Sequence, residues 1–339
     1  MLLRLPLFFF VLAVAILENS TAEANSHSQR EESRGLITNG QPVTPGSYPF
    51  FAYNKYGNDA GCGATLIHED ILLSAAHCIR AFAGRGAYVG GETNFGTEGD
   101  RVEFHEDETV VVHPQYNSSN LVNDIMVVKL QTPSTLPLVS LNTDPTQRTT
   151  DIPMVVIGFG DTEFRGDLSP NLLETEVIGF PFETCVRVHL EQDPTVSFDR
   201  AAQFCALGND GRDSCDGDSG GPILIADENN NLVQVGIISL GLGCGSDGIP
   251  AIYARVAPYI NWIEGQICAL SSSPPDWCST WTLDGNGGSS GGSGGSGALE
   301  ITAETPPPTE DTSTSDSAPV AFLFSSFFTT ISMLFAGHL

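Results

Sequence analysis

The chain has 339 residues, 41% of them hydrophobic, and its formal net charge is −27 from 14 basic and 41 acidic residues. This length and apolar content allow one large or two small domains with a true core. The strong negative charge excludes charge-driven binding to nucleic acid or to anionic lipid head groups.

The first 24 residues have the features of a signal peptide. Arg4 gives a positive start, Leu5–Leu17 an apolar core, and Ala22-Glu23-Ala24 a cleavage site of the small-x-small type. A membrane-spanning anchor is the alternative, but the apolar run is too short for it. We therefore expect secretion into an oxidising compartment, where the eight cysteines can form disulfides. Residues 25–36, which follow, are polar and charged.

Short apolar runs separated by Gly, Asn, Asp and Pro fill the sequence from Pro49 to Ile178. This pattern predicts an all-β fold, either a sandwich or barrels. The predicted strands are Ala64–Ile67, Ile71–Ser74, Thr109–Val112, Ile125–Leu130 and Met154–Gly158.

Two polar residues stand beside such apolar runs. His77 follows an apolar run in the segment Leu73–Cys78, and Asp124 stands at the head of the apolar run Ile125–Leu130.

The segment Cys215–Pro222 reads Cys-Asp-Gly-Asp-Ser-Gly-Gly-Pro. The hydroxyl of Ser219 becomes a useful nucleophile only if a base takes its proton and if donors await the oxyanion. Gly217 lets the backbone bend so that its own N–H and that of Ser219 point to one spot. The alternative is a glycine-rich turn with an incidental serine.

The C-terminal third predicts a helix and then segments of changed composition. Pro258 and apolar residues at near-helical spacing predict a closing helix that ends near Leu270. Residues 285–319 form a Gly/Ser linker followed by a Thr- and Pro-rich stretch, with no means of building a core. The apolar tail, 320–339, matches a GPI-attachment signal, and a transmembrane anchor is the alternative.

Histidine, aspartate and serine in this order and in these local contexts resemble the trypsin/chymotrypsin family of serine endopeptidases. The resemblance covers about Ile37 to Leu270. It implies two antiparallel six-stranded β-barrels with a C-terminal helix, and a cleft between the barrels that carries the active site.

The resemblance also implies a role for each of these residues. His77 is the general base and then the general acid, Asp124 holds the imidazole, and Ser219 attacks the carbonyl. The amides of Gly217 and Ser219 form the oxyanion hole, and Ser239 supports Asp124.

The resemblance further implies three of the cysteine pairs, whereas the sequence alone leaves the pairing open. They are Cys62–Cys78, Cys185–Cys205 and Cys215–Cys244, and the remaining Cys268 and Cys278 most simply close a local loop within 271–284. Metal binding is the alternative for these cysteines, but no C-x-x-C pair supports it.

By the same resemblance, residues 25–36 are a propeptide. Cleavage before Ile37 would free an ammonium group that pairs with Asp218 and orders the oxyanion loop. Leu36 stands where the family usually has Lys or Arg, so the activating protease is undetermined.

Asp213 falls where the family has the floor of its primary specificity pocket, which implies cleavage after Arg or Lys. Gly241 and Ala251 would line the walls. Ala251 replaces a glycine of the basic-specific members, so we expect an altered balance between Arg and Lys or a reduced rate.

Two further candidate sites have weaker signals. Asn117-Ser118-Ser119 is an N-glycosylation sequon, with an unmodified asparagine as the alternative. Some relatives have a calcium loop where Glu92, Asn94 and Glu98 lie, but the loop looks shortened and Arg101 disfavours a cation. We expect no metal and no cofactor.

The sequence thus predicts a zymogen-activated serine endopeptidase that is secreted or tethered to the cell surface. Its expected partners are protein or peptide substrates and an activating protease, with a possible membrane attachment and no nucleic acid. Two alternatives remain: a catalytically weak or inactive homologue that acts as a binding or inhibitor protein, and an adhesion module built on the protease fold.

Overall fold

The computed structural model describes residues 40–56, 59–90, 103–245 and 248–281. The chain divides into two units, 1–289 and 290–339, and every described residue belongs to the first. Several predicted features lie outside the described residues: the signal peptide, the propeptide with Ile37, the possible calcium loop, residues 282–284, the linker and the C-terminal tail.

Fifteen strands form two sheets in the described part of the chain. They are β1 (Gln41–Pro42), β2 (Phe51–Tyr56), β3 (Asp59–His68), β4 (Ile71–Ser74), β5 (Ala87–Val89), β6 (Glu103–His105), β7 (Asp107–Val112), β8 (Met126–Leu130), β9 (Ser140–Leu141), β10 (Pro153–Gly158), β11 (Leu173–Phe180), β12 (Gln203–Leu207), β13 (Pro222–Ala226), β14 (Leu232–Leu240) and β15 (Ala251–Arg255).

The first sheet has the order β6-β5-β2-β3-β4-β8-β7 and is antiparallel throughout. Its two outer strands, β6 and β7, are separated in the chain only by Glu106. Because consecutive residues join the two edges, the sheet curls round on itself as a barrel does. It contains seven strands where six were expected, since β6 and β7 are two pieces of one broken segment.

The second sheet contains a closed ring of six antiparallel strands, in the order β11-β10-β13-β14-β15-β12, with β12 pairing back to β11. Two short strands are added to this ring: β1 pairs with β11, and β9 pairs with β14 in parallel. The predicted all-β fold with two barrels is thereby confirmed, and so are the five predicted strands.

Three α-helices accompany the sheets in the described ranges: α1 (Ile79–Phe82), α2 (Phe182–Gln192) and α3 (Ile260–Leu270). Short 3₁₀ turns cover Ala76–Cys78, Ala257–Tyr259 and Asp276–Thr280. The predicted closing helix is α3, which buries Ile263 and Ile267 in the core shared with β8. Within these described ranges, no helix combines the length and the apolar composition needed to cross a bilayer.

The strand pattern follows from the sequence. In β11, buried and more exposed residues alternate, as expected of a strand with one face on the core. All of β4 and β8 is buried, because these central strands of the first sheet are covered on both faces. The segments that carry His77 and Asp124 are therefore attached to the most rigid part of the first barrel.

Polar contacts join the two barrels. The amide of Gly63 in β3 donates to the carbonyl of Ser219, 2.8 Å away. The hydroxyl of Thr65 in β3 donates to the side-chain oxygen of Gln234 in β14, at 2.7 Å, and both side chains are fully buried. Because buried polar groups are costly when unpaired, these bonds fix how the barrels meet.

Candidate active site

His77 lies in the 3₁₀ turn that follows β4. The Cys62–Cys78 disulfide ties this turn to β3. The amide of His77 donates to Oδ1 of Asp124 at 2.9 Å, and Nδ1 of its ring lies 2.8 Å from Oδ2. A carboxylate can only accept, so Nδ1 carries the proton and Nε2 has a free lone pair, as a general base requires.

Asp124 lies two residues before β8 and is completely buried. Its Oδ2 also accepts a hydrogen bond of 2.6 Å from the hydroxyl of Ser239 in β14. Three donors, from His77 and Ser239, thus satisfy a carboxylate that would otherwise be very costly to bury. The structure thus places the Asp124 carboxylate between His77 and the hydroxyl of Ser239.

Ser219 lies in a turn between Gly217 and Gly220, whose φ angles are +100° and +80°. Such angles favour glycine strongly over other residues. A Cβ on Gly220 would collide with the Ser74 hydroxyl and the Gly63 carbonyl. The carbonyl oxygen of Ser219 also lies 3.5 Å from Sγ of Cys78, the residue after His77. The glycine turn therefore brings Ser219 against the part of the first barrel that carries His77.

The amides around Ser219 differ in their partners. Asp218 N–H donates to the Cys215 carbonyl at 3.0 Å. Among the described residues, the amides of Gly217 and Ser219 have no acceptor. Two unpaired N–H groups on alternate residues of one tight turn can both donate hydrogen bonds to the same anionic ligand.

Asp218 is buried, and its two carboxylate oxygens accept hydrogen bonds from the amides of Gly160 (2.7 Å) and Cys215 (2.8 Å). Burial, helped by the charges of Asp213 and Asp161, outweighs those two hydrogen bonds and raises the pKa of this carboxyl group to about 7. No ion pair of Asp218 occurs among the described residues, and Ile37, its expected partner, is not one of them.

The room for Asp218 comes from two glycines, Gly158 and Gly160, because a Cβ on either would collide with the Asp218 carboxylate. Neither glycine is among the residues predicted for the site. The only signal for them was the Gly-Phe-Gly pattern at 158–160.

Asp213 is 4% exposed, and Gly245 N–H donates to its Oδ2 at 3.2 Å. Its Oδ1 is buried and has no partner among the described atoms. Burial raises the pKa of the carboxyl group to about 7. A buried oxygen without a hydrogen bond is costly, so Asp213 Oδ1 marks a position where a bound ligand would donate a hydrogen bond.

Of the two expected wall residues, Ala251 is buried in β15 and Gly241 is exposed after β14. Ala251 shares one face of its strand with Tyr253. The pKa of Tyr253 is raised by burial and by the charge of Asp213. A Cβ on Gly241 would meet only the Gly243 carbonyl at 3.2 Å, which leaves this wall open.

The structure contains four disulfides: Cys62–Cys78, Cys185–Cys205, Cys215–Cys244 and Cys268–Cys278. The first three are the pairs that the family resemblance implied, and the fourth is the remaining local pair. One group of described residues, Cys62, His77 and Cys78, has metal-ligating atoms within 4.8 Å of one another. Both of its sulfurs are consumed by a disulfide, so the thiolate ligands that zinc requires are missing.

Asn117 is exposed in the loop before β8. Its amide donates to the Val122 carbonyl at 3.0 Å, and its side-chain oxygen accepts from the amide of Ser119 at 2.9 Å. The sequon therefore lies on the surface, as a modified asparagine must.

Comparison with known proteins identifies the family. A family model described as Trypsin matches residues 37–263. The chain is 34% identical to melanization protease 1 of Drosophila melanogaster over 69% of its length and 66% of the relative's. It is 31% identical to trypsin of Sus scrofa over 69% of the chain and 96% of the relative.

A third relative, transmembrane protease serine 11G of Rattus norvegicus, is 30% identical over 68% of the chain and 55% of its own length. The chain thus spans nearly all of the pig trypsin but only about half to two thirds of the other two. The order of the three motifs, the barrels and the match of the family model agree. The chain belongs to the trypsin family of serine endopeptidases.

Proposed function

We propose that the protein is a serine endopeptidase that hydrolyses peptide bonds after Arg or Lys through an acyl-enzyme. The observation that carries the catalytic part is the buried Asp124 carboxylate, which accepts from both the amide and the ring of His77. An active-site carboxylate placed in this way fixes the imidazole tautomer and stabilises the imidazolium that forms. The roles below are those of the family's catalytic triad, carried over to the matching residues.

In the first step, Oγ of Ser219 bonds to the scissile carbonyl carbon while His77 Nε2 takes the hydroxyl proton. The carbonyl π electrons move to the oxygen, and the amides of Gly217 and Ser219 stabilise this oxyanion. His77 then gives its proton to the leaving amine as the C–N bond breaks. Water, activated in the same way, releases the acid and restores Ser219.

The preference for Arg or Lys rests on Asp213. A guanidinium or ammonium group entering the pocket would supply the donor that Asp213 Oδ1 lacks. Arg can bind a carboxylate with two parallel hydrogen bonds, whereas Lys offers a point charge. Ala251 is buried in β15, and we expect its methyl group to narrow the pocket and shift this balance.

Activation would follow removal of residues 25–36 by another protease. The freed ammonium group of Ile37 would pair with Asp218, whose buried carboxylate has no cation among the described residues. A buried charge without a partner is costly, so the pair would order the neighbouring oxyanion turn. N-terminal sequencing of the active form tests this, and a mature start at Gly35 would contradict it.

We further propose that the protein is secreted, with its domains bounded as in the sequence analysis. Four disulfides suit an oxidising compartment, and Asn117 is exposed for glycosylation. The tail, 320–339, would direct GPI attachment. Release from cells by a phosphatidylinositol-specific phospholipase tests this, and recovery of the intact tail from cells would refute it.

The central experiment uses the processed protein, a fluorophosphonate probe, and peptides that differ only in the residue before the scissile bond. We expect labelling at Ser219, cleavage after Arg and Lys, and loss of both in Ser219→Ala. An inactive homologue or an adhesion module would resist the probe. Preferred cleavage after Phe or Tyr would refute the role of Asp213 and leave the catalytic proposal standing.

A further inference from the structure

The backbone immediately before Asp124 is held in an unusual conformation. Asn123 has a φ angle of +59°, in the left-handed region. The amide of Ile125 donates to the Asn123 carbonyl at 2.9 Å, so Asp124 is the middle residue of a tight turn. Non-glycine residues adopt this φ at a cost, although asparagine tolerates it best. The direction of the Asp124 side chain therefore depends on how Asn123 is held.

The side chain of Asn123 is fixed at both ends of its amide group. Its Nδ2 donates to the Gln115 carbonyl at 2.8 Å, and its Oδ1 accepts from the Tyr259 hydroxyl at 2.7 Å. Gln115 belongs to the same loop as Asn123, whereas Tyr259 ends the 3₁₀ turn that leads into α3. Asn123 thus connects the loop that carries Asp124 to the C-terminal helix.

Tyr259 is itself held firmly. It is 6% exposed, and its ring packs edge-on against the ring of His113 with centroids 5.1 Å apart. Trp262 of α3 packs against the same imidazole at 5.1 Å. The amide of His113 donates to the Ile125 carbonyl at 3.0 Å, so this aromatic cluster also contacts the residue after Asp124. The Tyr259 hydroxyl is therefore presented from a rigid support.

We propose that Tyr259 is a positioning residue for the proposed reaction: its hydroxyl, acting through Asn123, sets the orientation of the Asp124 carboxylate toward His77. Tyr259 touches neither the substrate nor the reacting atoms. The Tyr259 hydroxyl holds the Asn123 side chain. The backbone of Asn123, with its positive φ, in turn directs the Asp124 carboxylate that fixes the imidazole. This inference rests on the proposed function and adds to it a residue outside the cleft.

The test begins with Tyr259→Phe, which removes only the hydroxyl. We expect kcat for an arginine amide substrate to fall about tenfold with KM unchanged, because the chemical step depends on the Asp124–His77 geometry and the substrate pocket is untouched. A kcat equal to that of the wild type would overturn the proposal.

A second variant separates the hydrogen bonds from the backbone strain. Asn123→Gly keeps access to a positive φ but loses both side-chain bonds. We expect the same fall in kcat as in Tyr259→Phe. The double variant should show no further fall, since both substitutions break the same connection from Tyr259 to Asp124. Wild-type kcat in Asn123→Gly would show that the backbone alone orients Asp124, and the proposal would fail.

Tyr48→Phe is the matched control. Tyr48 is also 6% exposed, and its hydroxyl donates to Glu174 in the second barrel. The Tyr48→Phe variant should lower the melting temperature about as much as Tyr259→Phe does, and it should leave kcat unchanged. Equal losses of kcat in Tyr48→Phe and Tyr259→Phe would mean general destabilisation and refute the positioning role. If instead Ser219→Ala kept full activity, the proposed function itself would fail, which is a separate outcome.

Discussion

The hydroxyl of Ser239 donates a 2.6 Å hydrogen bond to Oδ2 of Asp124, and this bond runs from the second barrel to the first. The same oxygen lies 2.8 Å from Nδ1 of His77. The carboxylate is therefore held between β14, whose end would line the proposed substrate pocket, and the imidazole that would move the proton in the proposed mechanism. Substrate binding and proton transfer would then share one anchored group.

Ser239→Ala should lower kcat about tenfold. A hydrogen bond to a charged group contributes roughly 1.5–3 kcal/mol, and we expect the lower end because Asp124 keeps both bonds to His77. Steady-state kinetics on an amide substrate measure the effect. Ser134→Ala is the control, since the buried Ser134 hydroxyl also donates at 2.6 Å to a carboxylate, that of Glu103. Equal kcat losses in both variants would argue against a specific role for Ser239.

Asp213→Asn should reduce kcat/KM for arginine substrates by about two to three orders of magnitude. Breaking a buried ion pair by removing one partner costs roughly 3–5 kcal/mol. In Asp213→Asn this cost weakens the binding of the substrate's cationic side chain. The measurement compares Arg, Lys and Phe substrates of otherwise identical sequence. Asp210→Asn, an exposed aspartate three residues earlier, should behave as the wild type. Undiminished Arg cleavage in Asp213→Asn would contradict the assignment.

The affinity for a cationic amidine inhibitor should depend on pH through Asp213. Burial raises the pKa of its carboxyl group to about 7 in the empty pocket. Above that pH the carboxylate is ionised and can pair with the inhibitor, whereas below it the inhibitor must displace a proton. We therefore expect the Kd in Ser219→Ala to rise about tenfold per pH unit below 7. Calorimetry checks this, and the pH dependence should disappear in Asp213→Asn.

Lys129→Met should destabilise the protein by about 3–5 kcal/mol. The Lys129 ammonium lies 2.9 Å from Oδ2 of Asp70, and both groups are buried. Removing the lysine leaves the carboxylate without its cation, although Ser272 still donates to it from its amide and its hydroxyl. Urea unfolding in the Ser219→Ala background measures the loss. Replacing both partners by apolar residues, Asp70→Leu with Lys129→Met, should recover most of it.

The control for that pair is Arg148→Met, which breaks an exposed ion pair with Asp151 and should cost nothing measurable. The pH dependence has a defined sign. Burial opposes ionisation of Asp70, but hydrogen bonds from Ser272, Lys129 and His68 outweigh it and hold the pKa well below its ordinary value of 3.8. The stabilisation is therefore complete above that value and is lost as the pH falls below it. A Lys129→Met protein as stable as the wild type would contradict this account.

Much of the fold could be predicted because its signals are local. The apolar runs at Ile71–Ser74 and Ile125–Leu130 became buried strands at almost the predicted bounds. The residues His77, Asp124 and Ser219 were named from three motifs in a family order. The geometry brings His77 against Asp124 and places Ser239 on the same carboxylate. Local patterns of this kind are predictive, because a central strand that is covered on both faces is apolar whatever it packs against.

The remainder depends on contacts between residues far apart in the chain. Helix α2 was not predicted, since Phe182–Gln192 has few apolar residues on its buried side. It is secured by the Cys185–Cys205 disulfide and by the bond of 2.8 Å from Nε2 of His189 to the Pro250 carbonyl. The hydrogen bond from Tyr259 to Asn123 could not be predicted either, because no sequence pattern indicates which hydroxyl donates to which side-chain amide.

The amide of Gly63 in the first barrel donates to the carbonyl oxygen of Ser219 in the second. The peptide unit of Ser219 is thus itself a joint between the two halves. Parts of a protein can open locally before the whole chain unfolds, for example in the early stages of heating. If the two halves separated in this way, the backbone of the proposed nucleophile would lose its support, so we expect the proposed protease to stop cutting its neighbours before it unfolds completely.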